Sequence, residues 1–434
     1  MSAVERRVAA RRRQAEELAA IALAGLWEQT ELASRLEGHS RLDGDDARLL
    51  AQRLLETFPG GSPSVAGFVD ALRRYPPLPV RTLPGSAVVP VEPWPVWRWD
   101  VPRWRTVREC AQALDLTEGE LYWFADARGW NRRARASLRH YRYRWVPTRS
   151  GGVRLLEQPK PRLAELQRRV VRHVLAALPV HDAAHGFRKG RSAATCAGPH
   201  ARRDLVVRLD LEGFFAAVPA TRLQGLLALA GYPAGVAQLL AGLLATETPA
   251  DVLSAAPRAG DALVRRRLLE HLARPHLPQG APSSPSAANA VACHLDVRLA
   301  GLARVLGATY TRYADDLAFS GDARLALHRL LPGVRRIASD EGFRLRDTKT
   351  SVAGAHQRQR VAGLVVNTAP AAPREDYDAL RATLHNCVRT GPAAQNRHGH
   401  PDFRTHLLGR IAWVGSTHPG RAAKLRALYD RITW

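Results

Sequence analysis

Hydrophobic and polar positions change their spacing several times along the chain, and each change marks an expected element. Residues 5–34 mix Ala and Leu with Arg and Glu, uninterrupted by Gly or Pro until Gly25, and predict a helix; a second helical pattern covers about 45–56. Residues 57–106 are Pro-rich, with hydrophobic fragments such as Val88–Val91 between turn signals. Two short helices follow in TVRECAQALDLTEGELYWFAD, where Thr117 and Glu120 have the spacing of a capping box. RHYRYRWVPTRSGGVRLLEQPK alternates toward a Ser150-Gly151-Gly152 tip and predicts a β-hairpin. An amphipathic helix then covers 161–178 and ends at Pro179.

The second half reads as strands and small-residue helices. DLVVRLDLEGFFAAV (204–218) is a hydrophobic strand that runs up to Asp210. HLPQGAPSSPSAANAVACHLDVRLAGLARVLG (276–307) passes from turns into helix. TYTRYADDLAFSG (309–321) predicts a hairpin whose turn carries Ala314, Asp315 and Asp316. FRLRDTKTSV (343–352) and RQRVAGLVVN (358–367) predict further short strands, the latter paired around Gly363. The fold class this implies is α+β.

Charge narrows the partners. Lys and Arg total 64 against 40 Asp and Glu, a formal +24, which draws a polyanion such as nucleic acid. The apolar fraction of 46% is enough for a sizeable core. Cys110, Cys196, Cys293 and Cys387 are too dispersed for a zinc pattern and too few for a disulfide framework, which fits a reducing cytoplasm. No stretch reaches the roughly 20 apolar residues of a membrane span. Arg6, Arg7 and Arg11–Arg13 form a solvated helical face or a nucleic-acid arm. Trp94, Trp97, Trp99 and Trp104, interleaved with Arg, either staple a linker to the next domain or stack on bases.

Chemistry concentrates on three carboxylates. An aspartate ending a hydrophobic strand is costly unless it is solvated or meets a cation, and two adjacent ones repel and favour a bound divalent ion. Asp210, Asp315 and Asp316 are therefore candidate catalytic residues and ligands of Mg²⁺, two ions about 3.5–4 Å apart in a nucleotidyl-transfer site. Gln279 offers an amide beside a nucleotide, Gly280 lets backbone approach a ligand, and Lys349 is a point charge for a leaving phosphate.

These blocks, in this order, resemble the reverse transcriptases. LDLEGFFAAV looks like the first catalytic block, LPQGAPSSPSAANAV the block lining nucleotide and template, and YADD the metal-binding turn. FRLRDTKTSV and VAGLVVN resemble the two blocks that close the palm, and GGVRLLEQPKPRLAELQRRV with AHGFRKGRSAAT resembles the fingers. The resemblance covers about 148–368 and implies a right-hand polymerase: an N-terminal extension and linker at 1–105, helices and fingers at 106–203, palm at 204–368, thumb at 369–434. Arg154, Arg188, Lys189 and Arg191 are the candidates to meet triphosphate or template. Phe215, fifth after Asp210, matches the bulky residue that excludes a ribose 2′-hydroxyl.

HGFRKGRS, VAGLVVN and the C-terminal LLGRIAWVGSTHPGRAAKLRALYDRI narrow the resemblance to bacterial retron enzymes. Retrons commonly show Val-Thr-Gly where this chain has Val361-Ala362-Gly363, and Asn-Ala-x-x-His where it keeps only Ala197 and His200. The resemblance implies a structured noncoding RNA as template and primer, deoxynucleotides as substrates, a branched RNA–DNA product and an associated defence effector, with no membrane partner. Arg404, Arg410, Arg421 and Lys424 are its candidate RNA contacts. Competing expectations are a group II intron-like enzyme, an RNA-synthesising polymerase, or an inactive RNA-binding protein. The segment 221–275, with Arg265–Arg267, is expected to add palm helices or touch the RNA.

Overall fold

The computed structural model describes residues 97–148 and 151–434 throughout, together with parts of 18–71. Arg6, Arg7, Arg11–Arg13, Val88–Val91, Trp94 and Ser150 lie outside the described residues. The chain divides at Pro93 into two compact units.

In the first unit, helices α1 (Gln29–His39) and α2 (Gly44–Thr57) pack through Leu32, Leu36, Leu50 and Leu54. The single helix expected over 5–34 is interrupted: Trp27 and Glu28 are non-helical, and Trp27 instead sets its ring edge-on to Phe58 and Phe68. Burying the indole takes precedence over continuing a helix, whose propensity is a weak bias.

The second unit is a mixed α+β structure. Helices α3 (Val107–Ala113) and α4 (Glu118–Phe124) come first, and the Thr117–Glu120 capping box is present. Strands β1 (Tyr141–Pro147) and β2 (Val153–Pro159) form the expected hairpin, with Gly151 at φ 80° in its turn. Helix α5 (Pro161–His173) buries Leu163, Leu166 and Val170. The short helix α6 (Ala193–Ala197) precedes the central strand β3 (Leu205–Asp210).

The segment between β3 and the Leu-Pro-Gln-Gly loop is helical: α7 (Ala220–Ala230), α8 (Ala234–Leu244), α9 (Ala250–Ser254) and α10 (Ala262–Leu272). The small-residue stretch forms α11 (Ser284–Val291) and α12 (Cys293–Val305), then β4 (Thr309–Tyr313), β5 (Asp316–Gly321) and α13 (Leu327–Asp340). Strand β6 (Ser351–Gly354) completes a four-stranded antiparallel sheet in the order β4-β5-β3-β6. Its buried side chains, Val207, Leu209, Leu317 and Phe319 among them, share one core with Leu295 and Leu299 of α12 and Leu240 of α8.

Trp97, Trp99 and Trp104 pack against this same core, Trp97 edge-on to Tyr232 at 5.2 Å, so of the two readings of those rings the staple holds. A two-residue turn at Ala362 and Gly363, both at positive φ, joins β7 (Arg360–Val361) to β8 (Leu364–Val365). The C-terminal helices α14 (Arg374–Thr390), α15 (Pro392–Gln395), α16 (Phe403–Gly415) and α17 (Pro419–Tyr429) follow. Leu380, Leu384, Leu407, Ile411, Leu425 and Tyr429 give them a core of their own. Among the described residues no helix is long and apolar enough to cross a membrane.

Candidate active site

Strand register brings the three carboxylates together. Asp210 is the last residue of β3 and lies directly opposite Asp316, the first residue of β5, which in turn pairs with Tyr313 of β4. Asp316 is thus in the strand and not in the turn where the sequence placed it. The turn itself is Ala314 and Asp315, with Ala314 held at φ 56°. That conformation is unfavourable for an L-residue, and hydrogen bonds hold it. Arg312 Nη1 donates to the Ala314 carbonyl at 3.1 Å, and the Leu211 N–H donates to the Asp315 carbonyl at 2.9 Å. Gly186 backs the turn, since a Cβ there would stand 2.6 Å from the Ala314 nitrogen.

Arg312 is wholly buried. It forks onto Asp296 of α12 at 2.8 and 2.6 Å and donates to Asn289 of α11 at 2.9 Å. Tyr310 adds its hydroxyl to the same carboxylate at 2.8 Å. The two helices therefore grip the turn by a polar network inside the core. Sequence reading missed all four side chains; an Arg inside a strand otherwise made of Thr and Tyr, TYTRY, was the available signal.

Two cations face the first carboxylate. Lys349 Nζ lies 2.7 Å from Asp210 Oδ2, and Arg346 Nε lies 3.4 Å from Oδ1. Lys349 was expected after a strand, but Asp347–Lys349 is a single 3₁₀ turn that swings the ammonium back over β3. Arg346 was not anticipated; its N–H also donates to the Asp210 carbonyl. Asp315 titrates at about 6, lifted by burial and then by the neighbouring charges of Asp210 and Asp316. Burial also raises Asp316.

A cavity of about 740 Å³ opens beside Asp315. Phe215, Gln279, Arg154, Arg346 and Lys349 are among the residues that line it. The chain from Leu211 to Val218 is a series of turns, with Gly213 at φ 60°. The two phenylalanines diverge: Phe214 is buried and stacked on Phe343, whereas Phe215 is half-buried at the cavity wall, 6.1 Å from Phe187. Gly280 is at φ 128°, and what approaches it is the backbone of Glu157, whose N–H donates to the Gln279 carbonyl at 2.8 Å. That loop rests on a second buried network missed in the sequence. Glu157 accepts from His276 Nε2 at 2.8 Å and from the Thr248 hydroxyl at 2.7 Å. Burial works against charge on His276, but the Glu157 carboxylate outweighs it and raises the imidazole pKa.

The profile of the family described as Reverse transcriptase (RNA-dependent DNA polymerase) matches residues 146–366, which contain every feature above. The chain belongs to this reverse transcriptase family. Within it, the chain is 39% identical to the retron Mx65 reverse transcriptase of Myxococcus xanthus over 89% of its own length and 86% of that protein. It is 40% identical to the retron Mx162 reverse transcriptase of the same organism over 74% of its length and 65% of that protein. It is 28% identical to the retron Ec86 reverse transcriptase of Escherichia coli over 59% of its length and 73% of that protein. The protein is a retron-type reverse transcriptase, an RNA-templated DNA polymerase.

The remaining candidates of the reverse transcriptase separate by position. Arg154, on β2, lines the cavity. Arg188 does not: it caps the carbonyls of His181 and Ala184 at 3.0 and 3.3 Å. Arg191 lies 3.5 Å from Asp182, and Lys189 is exposed. Arg267 of α10 forks onto Glu212 at 2.9 and 3.1 Å, so the inserted helices reach the segment between Asp210 and Phe215. In the C-terminal helices Arg421 lies over Tyr377, Arg404 over Trp434, Arg410 is half-buried and Lys424 is exposed.

The donor set suits a hard divalent ion. Three carboxylates meet at one end of the two central strands, β3 and β5, and Asp210 Oδ1 is buried without a hydrogen-bond partner. Among the described residues no three His, Cys, Asp or Glu side chains already converge as a cage; the Asp210 carboxylate is turned to Lys349 and Arg346 instead.

Proposed function

We propose that this reverse transcriptase copies part of a cognate structured noncoding RNA into DNA, priming from an RNA 2′-hydroxyl and leaving a branched RNA-linked product, in a phage-defence setting with an associated effector. The observation that carries the chemistry is the register that sets Asp210 opposite Asp316 with Asp315 at the adjoining turn, on the wall of a cavity of nucleotide size. The four-stranded sheet and its helices (204–368) act as a palm, 106–203 as N-terminal helices and fingers, and 369–434 as an RNA-binding thumb, after an extension and linker at 1–105.

Asp210, Asp315 and Asp316 would hold two Mg²⁺ ions, which when bound supply activation of the primer hydroxyl and charge neutralisation at the triphosphate. Lys349 and Arg346 neutralise Asp210 in their absence and stand where the leaving phosphates gather. Arg154, which lines the same cavity, meets the triphosphate. Phe215 packs beneath the sugar, and Gln279, its loop pinned by Glu157, orients the base pair. Arg404, Arg410, Arg421 and Lys424 contact a stem of the RNA.

The test is purification with co-bound nucleic acid, separate RNase and DNase treatment, and sequencing of what remains. RNA-linked branched DNA is expected from wild type. Asp315→Asn should retain RNA, because binding is spread over many phosphates, and yield no DNA. Unlinked DNA from wild type would remove the retron product, and normal extension by Asp315→Asn would remove the site.

A further inference from the structure

The sequence places its densest aromatic–arginine interleaving at 94–104, but the described rings there are spent on the core. A group of aromatic side chains left in solvent lies farther on, in α4 and in the segment between α4 and β1. Trp130 is 53% exposed, Tyr122 46% and Trp123 39%. Trp123 and Trp130 form an edge-on pair with centroids 6.5 Å apart, and Trp123 is braced from behind by His140 at 5.1 Å. An exposed pair of indoles costs solubility unless something covers it.

The surroundings say what covers it. Arg128 lies over the Trp130 ring at 5.2 Å. Arg128, Arg133 and Arg135 are exposed, and none pairs with a carboxylate among the described residues. The carboxylates that reach this segment are already engaged. Glu247 holds Arg132 at 2.8 Å, Asp251 holds Arg139 at 2.7 Å, and Asp126 accepts the Asn131 N–H. What remains is an indole platform rimmed by guanidiniums that no described carboxylate pairs. Those rims attract phosphate, and the rings offer faces to bases that are not already stacked in a duplex. A protein partner of this site would have to be strongly acidic as well as apolar, whereas RNA supplies both requirements in each nucleotide.

We propose that Tyr122, Trp123 and Trp130, with Arg128, Arg133 and Arg135, form a docking surface for an unpaired segment of RNA, separate from the polymerisation cavity. None of these residues lines that cavity. The proposal rests on the reading that this chain holds a structured RNA, and it adds where the unpaired part of that RNA lies: on the surface ahead of the β1–β2 hairpin.

The experiment compares wild type, Trp123→Ala/Trp130→Ala and Arg128→Ala/Arg133→Ala/Arg135→Ala in full-length protein. Affinity is measured for a labelled single-stranded RNA oligonucleotide and for the same RNA in a duplex, at fixed salt. Both variants should bind the single strand at least about fivefold more weakly, the tryptophan variant should bind duplex as wild type does, and Trp130→Phe should recover part of the loss. Single-stranded RNA carrying 5-iodouridine should crosslink within 122–135. Extension of a pre-annealed primer–template should be unchanged in both variants, because the patch lies outside the cavity. Unchanged single-strand affinity in both variants, or crosslinks confined to other segments, would overturn the proposal, and that is the outcome if the surface serves a protein. Wild type that fails to extend any primer while still crosslinking at 122–135 would sink the catalytic reading and leave the docking surface standing.

Discussion

Arg312 and Asp296 form a bidentate ion pair with no solvent contact, and the same guanidinium carries the carbonyl of Ala314, the residue before Asp315. Removing either partner strands a charge in the core, at a cost of roughly 3–5 kcal/mol. Arg312→Met and Asp296→Leu should each lower the urea midpoint by a corresponding amount. Arg312→Lys keeps the charge but cannot span Asp296, Asn289 and Ala314 together. It should fold and lose kcat with little change in dNTP KM, because the turn is no longer held. Equal kcat for Arg312→Lys and wild type would show that the network serves stability alone.

Asp315 carries a pH signature. Its carboxyl titrates at about 6 in the folded chain, against an ordinary value of 3.8. The folded state therefore holds its proton more tightly than the unfolded one, and stability falls as pH rises between those values. In chelator, Asp315→Asn should melt higher than wild type above about pH 6, with the gain fading to nothing near pH 4. A melting difference that does not vary across that window would mean Asp315 is not strained by its neighbours.

Phe215 stands half-buried at the cavity wall while Phe214 is buried against Phe343. Phe215→Val should relax discrimination against ribonucleotides by at least about tenfold while DNA synthesis survives at reduced rate. Phe214→Val should instead lower the melting temperature and leave sugar choice alone. Single-nucleotide incorporation of matched dNTP and rNTP on an RNA template measures both.

The basic residues can be ranked by what they already touch. Arg154 lines the cavity, and its replacement by Ala should raise dNTP KM about tenfold, the order of a lost hydrogen bond to a charged group. Arg188→Ala strips the His181 and Ala184 carbonyls of a donor and should cost about 1–3 kcal/mol of stability with dNTP KM near wild type. Reversal of that pattern would move the triphosphate contact to the 185–191 loop.

The helices after Thr368 have their own core around Leu384, Leu407 and Leu425. Truncation there should leave a folded remainder that no longer prefers its cognate RNA over an unrelated structured RNA in competition at fixed salt. Undiminished preference would place recognition elsewhere in the chain.

Much of this was legible in the sequence because the signals are local. Alternating apolar residues up to Asp210, the Thr117–Glu120 box and the Gly-Gly hairpin each depend on neighbours within a few positions, and each appeared where expected, while the acidic pair fell at the expected hairpin with Asp316 one step into its strand. The three carboxylates were found by their order along the chain, which is itself the family's signature, and the register sets Asp210 opposite Asp316. Other features needed the tertiary structure because they join residues far apart in sequence. Arg312 meets Asp296 across two elements, Glu157 meets His276 with the whole 221–275 segment between them, and Arg267 reaches Glu212 from helices whose purpose no local pattern discloses. Exposure was decided the same way. Trp97 and Trp130 look alike in sequence, but only packing puts one ring against Tyr232 and leaves the other in water, because a side chain's burial depends on what the rest of the chain places over it.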